Sequence, residues 1–301
     1  MTTIDSMPSL ATAYGHVLAQ FAKRNSAKAL RRGNVDQLSL EPLTYRVDNV
    51  EIAPEKLTDY AKVFGTDLSD QVPMVLAHIA GFPLQITAMA DESFPLNTLG
   101  MIHLSQDTDY IRALRTGVGY SFVCTVTNYR KHKLGTSVDV VLEINDSDGT
   151  LYRATSVYLA KGQQLGEGLH EAKPSTVDVN ALVPQQQWRL LADAGRQYAR
   201  LSGDMNPIHL NKLAAKVFGL KGQLAHGMYL VGRSLAGREP RGAGFTYQVD
   251  FFSPVLLPSS VSVSISHHHN EQELIGFGTR SKKIHFVARL QETATEPENE
   301  L

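Results

Sequence analysis

Residues 198–209 read YARLSGDMNPIH, and the rest of the chain is best read outward from them. The stretch holds a carboxylate (Asp204), a carboxamide (Asn206) and an imidazole (His209) within a turn built around Gly203 and Pro207. Glycine permits a tight backbone turn, and proline biases Asn206 away from helix. Asp204 to Pro207 should therefore be irregular, with His209 at or before the start of the helical stretch HLNKLAAKVFG. Side chains five residues apart converge only where a chain bends, and this one is built to bend.

A blunted version of the phrase lies earlier. YAKVFGTDLSDQ starts at Tyr60, and at an offset of 138 Tyr60, Ala61, Lys62, Val63 and Gly65 face Tyr198, Ala199, Arg200, Leu201 and Gly203. At the polar positions Thr66, Leu68 and Gln71 face Asp204, Asn206 and His209. A second echo pairs VLAHIAGFPL (75–84) with QLAHGMYLVG (223–232), Ala77-His78 facing Ala225-His226 at an offset of 148. Two echoes in the same order indicate a duplicated unit. A purely structural turn would be needed in both copies, so three polar side chains present in only one point to chemistry.

Each copy has the same layout. PMVLAHIAGFPLQITAMA (73–90) is apolar enough for a buried helix, which Pro83 is expected to kink or end. The strand-rich segments MIHLSQDTDY, VGYSFVCTVTNYR, TSVDVVLEIND and LYRATSVYLA follow, with NDSDG (145–149) as a turn between two of them. In the second copy GQLAHGMYLVGRSLAG reads as the helix, and GFTYQVDFFSPV, SSVSVSISHHH, ELIGFGTRSK and KIHFVARLQE as strands. One long helix followed by antiparallel strands gives an α+β unit with the helix on the sheet. The expected organisation is a helical extension (1–35) carrying Lys23, Arg24, Lys28, Arg31 and Arg32, a first unit (36–162), a Gly- and Pro-bearing linker (163–178), a second unit (179–292) and an acidic tail (293–301).

The totals exclude several function classes. The formal net charge of −1 gives no basic excess for nucleic acid or an anionic membrane. No apolar run approaches the ~20 residues that span a bilayer. The start of the chain lacks the layout of a signal peptide. Cys124 is the only cysteine, which rules out an internal disulfide and a cysteine metal cage. A cytoplasmic protein in a reducing compartment is expected.

Ser202 to His209 resembles the signature of the MaoC-like, (R)-specific enoyl thioester hydratases, Ser-Gly-Asp-x-Asn-Pro-[aliphatic]-His, at every position. Ala214 matches a small residue favoured in that family, and AHGM (225–228) resembles its second marker. Asn211 and Leu220 depart from the family's frequent Asp and Phe, outside the chemistry. The resemblance extends to the two-copy subgroup, and it implies a double hot-dog fold, each unit a long helix wrapped by an antiparallel sheet. The implied reaction is reversible dehydration of (R)-3-hydroxyacyl thioesters to trans-2-enoyl thioesters. Asp204 and His209 would exchange protons with one water, with the assignment of acid and base open. Asn206 and Ser202 would position, and the N–H of Gly227 at a helix start would stabilise the thioester oxyanion. Ile79 stands at the Gly227 position of the first copy, where a side chain would hinder the approach of a ligand.

The blunted copy would then form the wall of an acyl tunnel. Loss of polar groups at Thr66, Leu68 and Gln71 would make room for a medium, long or bulky chain. The acyl group would arrive on coenzyme A or an acyl carrier protein, with no cofactor of the enzyme's own, and Arg280, Lys282 and Lys283 are candidates for the carrier's phosphates. The copies would pair within one chain, and a homodimer of such chains is a further option. A non-catalytic acyl-binding protein and a hot-dog thioesterase are the alternatives. No metal site is expected: HHH (267–269) alternates across a strand and reads as a solvated strand end. Nothing fits a nucleophile elbow, a P-loop or a dinucleotide fingerprint.

Overall fold

The computed structural model describes residues 1–25, 40–162, 164–170, 176–242 and 244–293. Strand β1 (Thr2–Ile4) and helix α1 (Leu10–Asn25) come first. The first copy is β2 (Leu43–Glu51), α2 (Glu55–Phe64), α3 (Met74–Met89), β3 (Ile102–Tyr110), β4 (Gly119–His132), β5 (Gly135–Asp146) and β6 (Gly149–Lys161). The second is β7 (Gln186–Leu190), α4 (Ala194–Ser202), α5 (Pro207–Leu210), α6 (Lys212–Val217), α7 (Gly227–Leu235), β8 (Phe245–Phe251), β9 (Ser259–His268), β10 (Glu271–Gly278) and β11 (Ile284–Glu292). Of the basic residues in the extension, Lys28, Arg31 and Arg32 lie outside the described residues, as does the tail beyond Thr293.

The strands form one sheet in the order β1-β2-β4-β5-β6-β3-β8-β11-β10-β9-β7. Read outward from its centre, β3-β6-β5-β4-β2 on one side corresponds to β8-β11-β10-β9-β7 on the other. The duplication read from two short echoes is thus a repeat of the whole strand order. The copies join where β3 pairs antiparallel with β8, Ser105 opposite Asp250 through Tyr110 opposite Phe245. The α+β double hot-dog arrangement expected from the sequence is the one that forms.

The glycines of the first echo do the same job twice. Gly65 ends α2 and Gly203 ends α4, both in the left-handed region (φ 68° and 72°), and their N–H groups bond to Ala61 and Ala199. Such a C-cap suits glycine because it has no Cβ to clash. Helix α3 is buried on nearly every side, as its unbroken apolar sequence requires. Pro83 does not end it: the helix runs on to Met89, and the Thr87 hydroxyl donates to the Pro83 carbonyl within it.

Helix α7 is shorter than its sequence suggests. It begins only at Gly227 because Gln223 to Ala225 are held extended. The Leu224 N–H bonds to the Ile208 carbonyl, the Ala225 N–H to Val255, and the Leu257 N–H to Gln223. The stretch HLNKLAAKVFG likewise forms two short helices, because the Asn211 side chain accepts from the Leu213 and Ala214 N–H groups and starts α6 afresh. The described part of the segment between the copies is pinned to the first one: His170 N–H bonds to the Lys131 carbonyl, Lys131 N–H bonds to Gly168, and Leu165 is buried.

Candidate active site

The turn after α4 is fixed by its own side chains. The buried Ser202 hydroxyl donates to the Tyr198 carbonyl and accepts from the Asp204 N–H at 3.1 Å. Asp204 Oδ1 accepts from the Asn206 N–H at 3.0 Å, an Asx turn of the kind expected before Asn-Pro. Pro207 then opens α5, whose third residue is His209. Ser202 therefore shapes the turn, with its hydroxyl hydrogen committed to the backbone. Asn206 differs: its backbone supports Asp204 while its side-chain oxygen has no partner.

Asp204, His209 and His226 come together, with one nitrogen or carboxylate oxygen of each within 4.8 Å of the others. A water at hydrogen-bond distance from both Asp204 and His209 fits that separation. His209 Nδ1 lies 3.0 Å from the Leu224 carbonyl. A carbonyl only accepts, so Nδ1 carries the hydrogen and Nε2 of the neutral ring is left as an acceptor. His226 stacks on His209 with ring centroids 3.8 Å apart, and its Nε2 is 3.6 Å from Asp204 Oδ2. The same three residues are the group among the described residues whose spacing would suit an ion.

Charge is asymmetric here. Burial pushes the Asp204 carboxyl up, but His226, His209, the Tyr14 hydroxyl and the Asn206 N–H outweigh it and hold the group below the usual carboxylate range. Burial holds His209 below the ordinary imidazole value, against the pull of Asp204 and the Leu224 carbonyl. Burial takes His226 down to about 3. At neutral pH the carboxylate is ionised and both rings are neutral, so the imidazoles stabilise the carboxylate by charge only as they gain protons at acid pH.

These groups line a cavity of about 840 Å³ that also holds Gly227 and is walled by the first copy. Ile79, Phe82, Ile86 and Met89, spaced along one face of α3, make its apolar side. Gly227 is the first residue of α7 and His226 its N-cap, so the Gly227 N–H belongs to the first turn, where intrahelical acceptors are missing. A Cβ at this position would stand 2.9 Å from the Phe251 ring. In the first copy the helix begins at Met74, which places Ile79 in its second turn with its N–H spent within the helix. The donor is lost there through an earlier helix start, beyond any hindrance by the isoleucine side chain.

Other expectations are redrawn. Thr66, Leu68 and Gln71 do not line the cavity, so their change of character is not what makes room in it. Leu68 is exposed, and Gln71 ties the copies together, donating to the Pro240 carbonyl and accepting from the Gly242 N–H. The first copy's apolar share of the lining comes in part from the α3 face. Arg280, Lys282 and Lys283 sit in and after the turn that follows β10, outside the cavity lining. The cations on the lining are Lys133 and Lys161. His267 and His268 end β9, opposite Gln272 and Glu271, and His269 begins the turn with φ 56°, all three exposed.

Several cavity residues have no role that the sequence assigns. His78 and His103 carry buried rings, pushed down to about 4 and about 3 by burial first. His103 lies between Tyr158 and Phe251, at centroid distances of 4.6 and 5.2 Å. Tyr14 of α1 donates to Asp204 Oδ1 at 2.7 Å. The echoed Ala-His pairs were a signal for His78 and His226; nothing near Tyr14 in the sequence marks it.

The chain is similar to known proteins in sequence and in fold. A family profile described as "MaoC like domain" matches residues 162–284. The chain is 29% identical over 233 residues to 3-hydroxyacyl-thioester dehydratase X of Mycobacterium tuberculosis, covering 77% of this chain and 82% of that protein. The crystal structure of that organism's HtdX superposes with a TM-score of 0.73 at 25% identity, over 83% of this chain and all of HtdX. A MaoC-like dehydratase from Phytophthora capsici, at 19% identity and a TM-score of 0.58 over 88% of this chain and 100% of its own, shares the fold.

Proposed function

We propose that the protein, whose residues 162–284 match the MaoC-like domain profile, is a hydro-lyase of fatty acyl metabolism, interconverting (R)-3-hydroxyacyl and trans-2-enoyl thioesters. The observation that carries the reading is the meeting of Asp204 and His209, polar atoms within 4.8 Å of each other, on a cavity whose apolar wall belongs to the other copy.

The protonation states constrain the chemistry. With Asp204 ionised and His209 offering a bare Nε2, the pair holds no spare proton. In dehydration, the proton taken from the α-carbon is therefore the one returned to the departing hydroxyl. One proton passing between neighbouring carbons through one pair of groups requires both to leave from the same face, a syn elimination. Negative charge that grows on the thioester oxygen meets the Gly227 N–H and the positive end of α7. The partnerless Asn206 oxygen accepts from the substrate's hydroxyl or from the water. This chemistry asks for no cofactor beyond the carrier of the acyl group, whose phosphates we assign to Lys133 and Lys161. All of these residues come from one chain, so the site needs no second copy. A reducing, cytoplasmic setting suits the single buried thiol of Cys124.

The face of α3 from Ile79 to Met89 spans ten residue steps, ~15 Å at 1.5 Å per residue, which favours medium or long acyl chains. The test is loss of enoyl-thioester absorbance when the protein meets a trans-2-enoyl-CoA. Asp204→Asn and His209→Ala should each lower kcat by about 10²- to 10⁴-fold while circular dichroism stays unchanged. Full turnover in either variant refutes the assignment, and release of free thiol by the wild type would turn the reading to hydrolysis.

A further inference from the structure

Helix α1 is seated against the catalytic turn. Leu10 packs where a Cβ on Gly203 would stand, 2.1 Å from its Cδ1. Ala13 and Val17 are buried. The Gln20 amide donates to the carbonyls of Ala90 and Asp91 at the end of α3, at 2.6 and 2.7 Å. Phe21 meets Phe218, beyond α6, at 5.9 Å. The helix thus touches both copies, and its seat brings Tyr14 to the cavity lining.

There the Tyr14 hydroxyl donates to Asp204 Oδ1 at 2.7 Å and accepts from the Met205 N–H at 3.0 Å. Oδ1 also accepts from the Asn206 N–H. One oxygen of the carboxylate is thereby occupied by two donors. Oδ2 is left as the oxygen able to exchange a proton, with His226 Nε2 at 3.6 Å. We infer that Tyr14 is a positioning residue for the proposed reaction: from outside both hot-dog units it fixes which oxygen of Asp204 works. The inference rests on the hydro-lyase reading for its kinetic consequences alone.

The ionisable groups facing Asp204 are Tyr14 from α1, His78 from α3, His103 from β3, Tyr158 from β6, Tyr198 from α4, His209 from α5 and His226 at the start of α7. Burial keeps the four imidazoles neutral and the phenols protonated. Among the side chains, Tyr14 supplies the short hydrogen bond to the carboxylate. A hydrogen bond to the charged form is the kind that lowers a carboxyl pKa.

The experiment compares full-length wild type, Tyr14→Phe and Gln20→Ala in enoyl-CoA hydration across pH. Tyr14→Phe keeps the ring in its pocket. It should reduce kcat about 10- to 100-fold, leave KM within about twofold, and move the acid limb of kcat/KM up by roughly one pH unit. Gln20→Ala loosens the helix seat without touching the hydroxyl and should leave the acid limb in place. Wild-type kcat and acid limb in Tyr14→Phe would overturn the inference, and so would an equal shift in Gln20→Ala, which would reduce Tyr14 to a structural role. Carbon-13 titration of the Asp204 carboxyl reads the same displacement without turnover. Should the wild type act on no enoyl or hydroxyacyl thioester, the proposed reaction falls, and Tyr14 is judged on that titration: an upward shift in Tyr14→Phe supports it and an unchanged curve overturns it.

Discussion

Asp204 is one negative charge set among four imidazoles that the fold keeps uncharged. Burial holds His78 down to about 4, and His103 and His226 to about 3, whereas an unfolded histidine titrates near 6.5. Below that pH the unfolded chain binds protons that the folded chain refuses. Stability from these groups is therefore complete above pH 6.5 and declines as pH falls toward the folded values, each ring costing about 1.4 kcal/mol per pH unit. The lowered pKa of Asp204 acts in the same direction. Urea midpoints should fall steeply between pH 7 and pH 5. His103→Phe, which replaces the ring between Tyr158 and Phe251 with one that cannot titrate, should flatten that fall by about one ring's share. An equally steep fall in the variant would show that His103 does not titrate on unfolding.

At the scale of elements, the two copies differ chiefly in where a helix starts. His226 is the N-cap of α7, while its echo His78 is the fifth residue of α3. The earlier start of α3 has an identifiable partner: Glu239, from the second copy, accepts the Met74 N–H at the helix's first residue. Burial pushes the Glu239 carboxyl up to about 7, against the Met74 hydrogen bond, from an ordinary value of 4.5. A raised folded pKa contributes stability that is present below pH 4.5 and lost as pH rises toward 7, opposite in sign to the histidines. Glu239→Gln keeps an accepting oxygen and removes the titration. Its stability relative to wild type should rise between pH 5 and pH 8 by up to a few kcal/mol, at ~1.4 kcal/mol per pH unit; a difference independent of pH in denaturant unfolding would count against a buried, titrating cap. The same scale explains what was readable in advance. Local signals sufficed for α3, for the β5–β6 hairpin turning at Asp146 and Gly149, and for the bend holding Asp204 and His209. Strands β2 and β7 went unread because β2 buries few of its side chains and β7 is five residues of mixed character. The late start of α7 is imposed by backbone bonds to residues 208 and 255, and Tyr14 reaches Asp204 across 190 residues of chain. No local pattern encodes such partners.

At the scale of the whole molecule, duplication has allowed a division of labour. Both copies contribute equally to the sheet, whose halves repeat one strand order about the β3–β8 seam. They contribute unequally to the cavity: the second supplies Asp204, His209 and the tip of α7, and the first supplies the apolar face of α3. A substitution in the copy without the polar motif should therefore change which substrates the other copy accepts. Ile86 is 4% exposed and lies on that face, two turns beyond Ile79. Ile86→Trp fills the far part of the cavity and leaves the catalytic groups untouched. Overpacking of a buried site costs about 1–3 kcal/mol in stability, so folding is checked first by thermal melting. Turnover of a crotonyl thioester should then stay close to wild type, while kcat/KM for a dodecenoyl thioester drops roughly tenfold or more, the discrimination expected when a pocket loses room for methylenes. An equal loss on both substrates would mean that the acyl chain does not run along α3. An unchanged preference would place the chain elsewhere, and the first copy would be left with a purely architectural role.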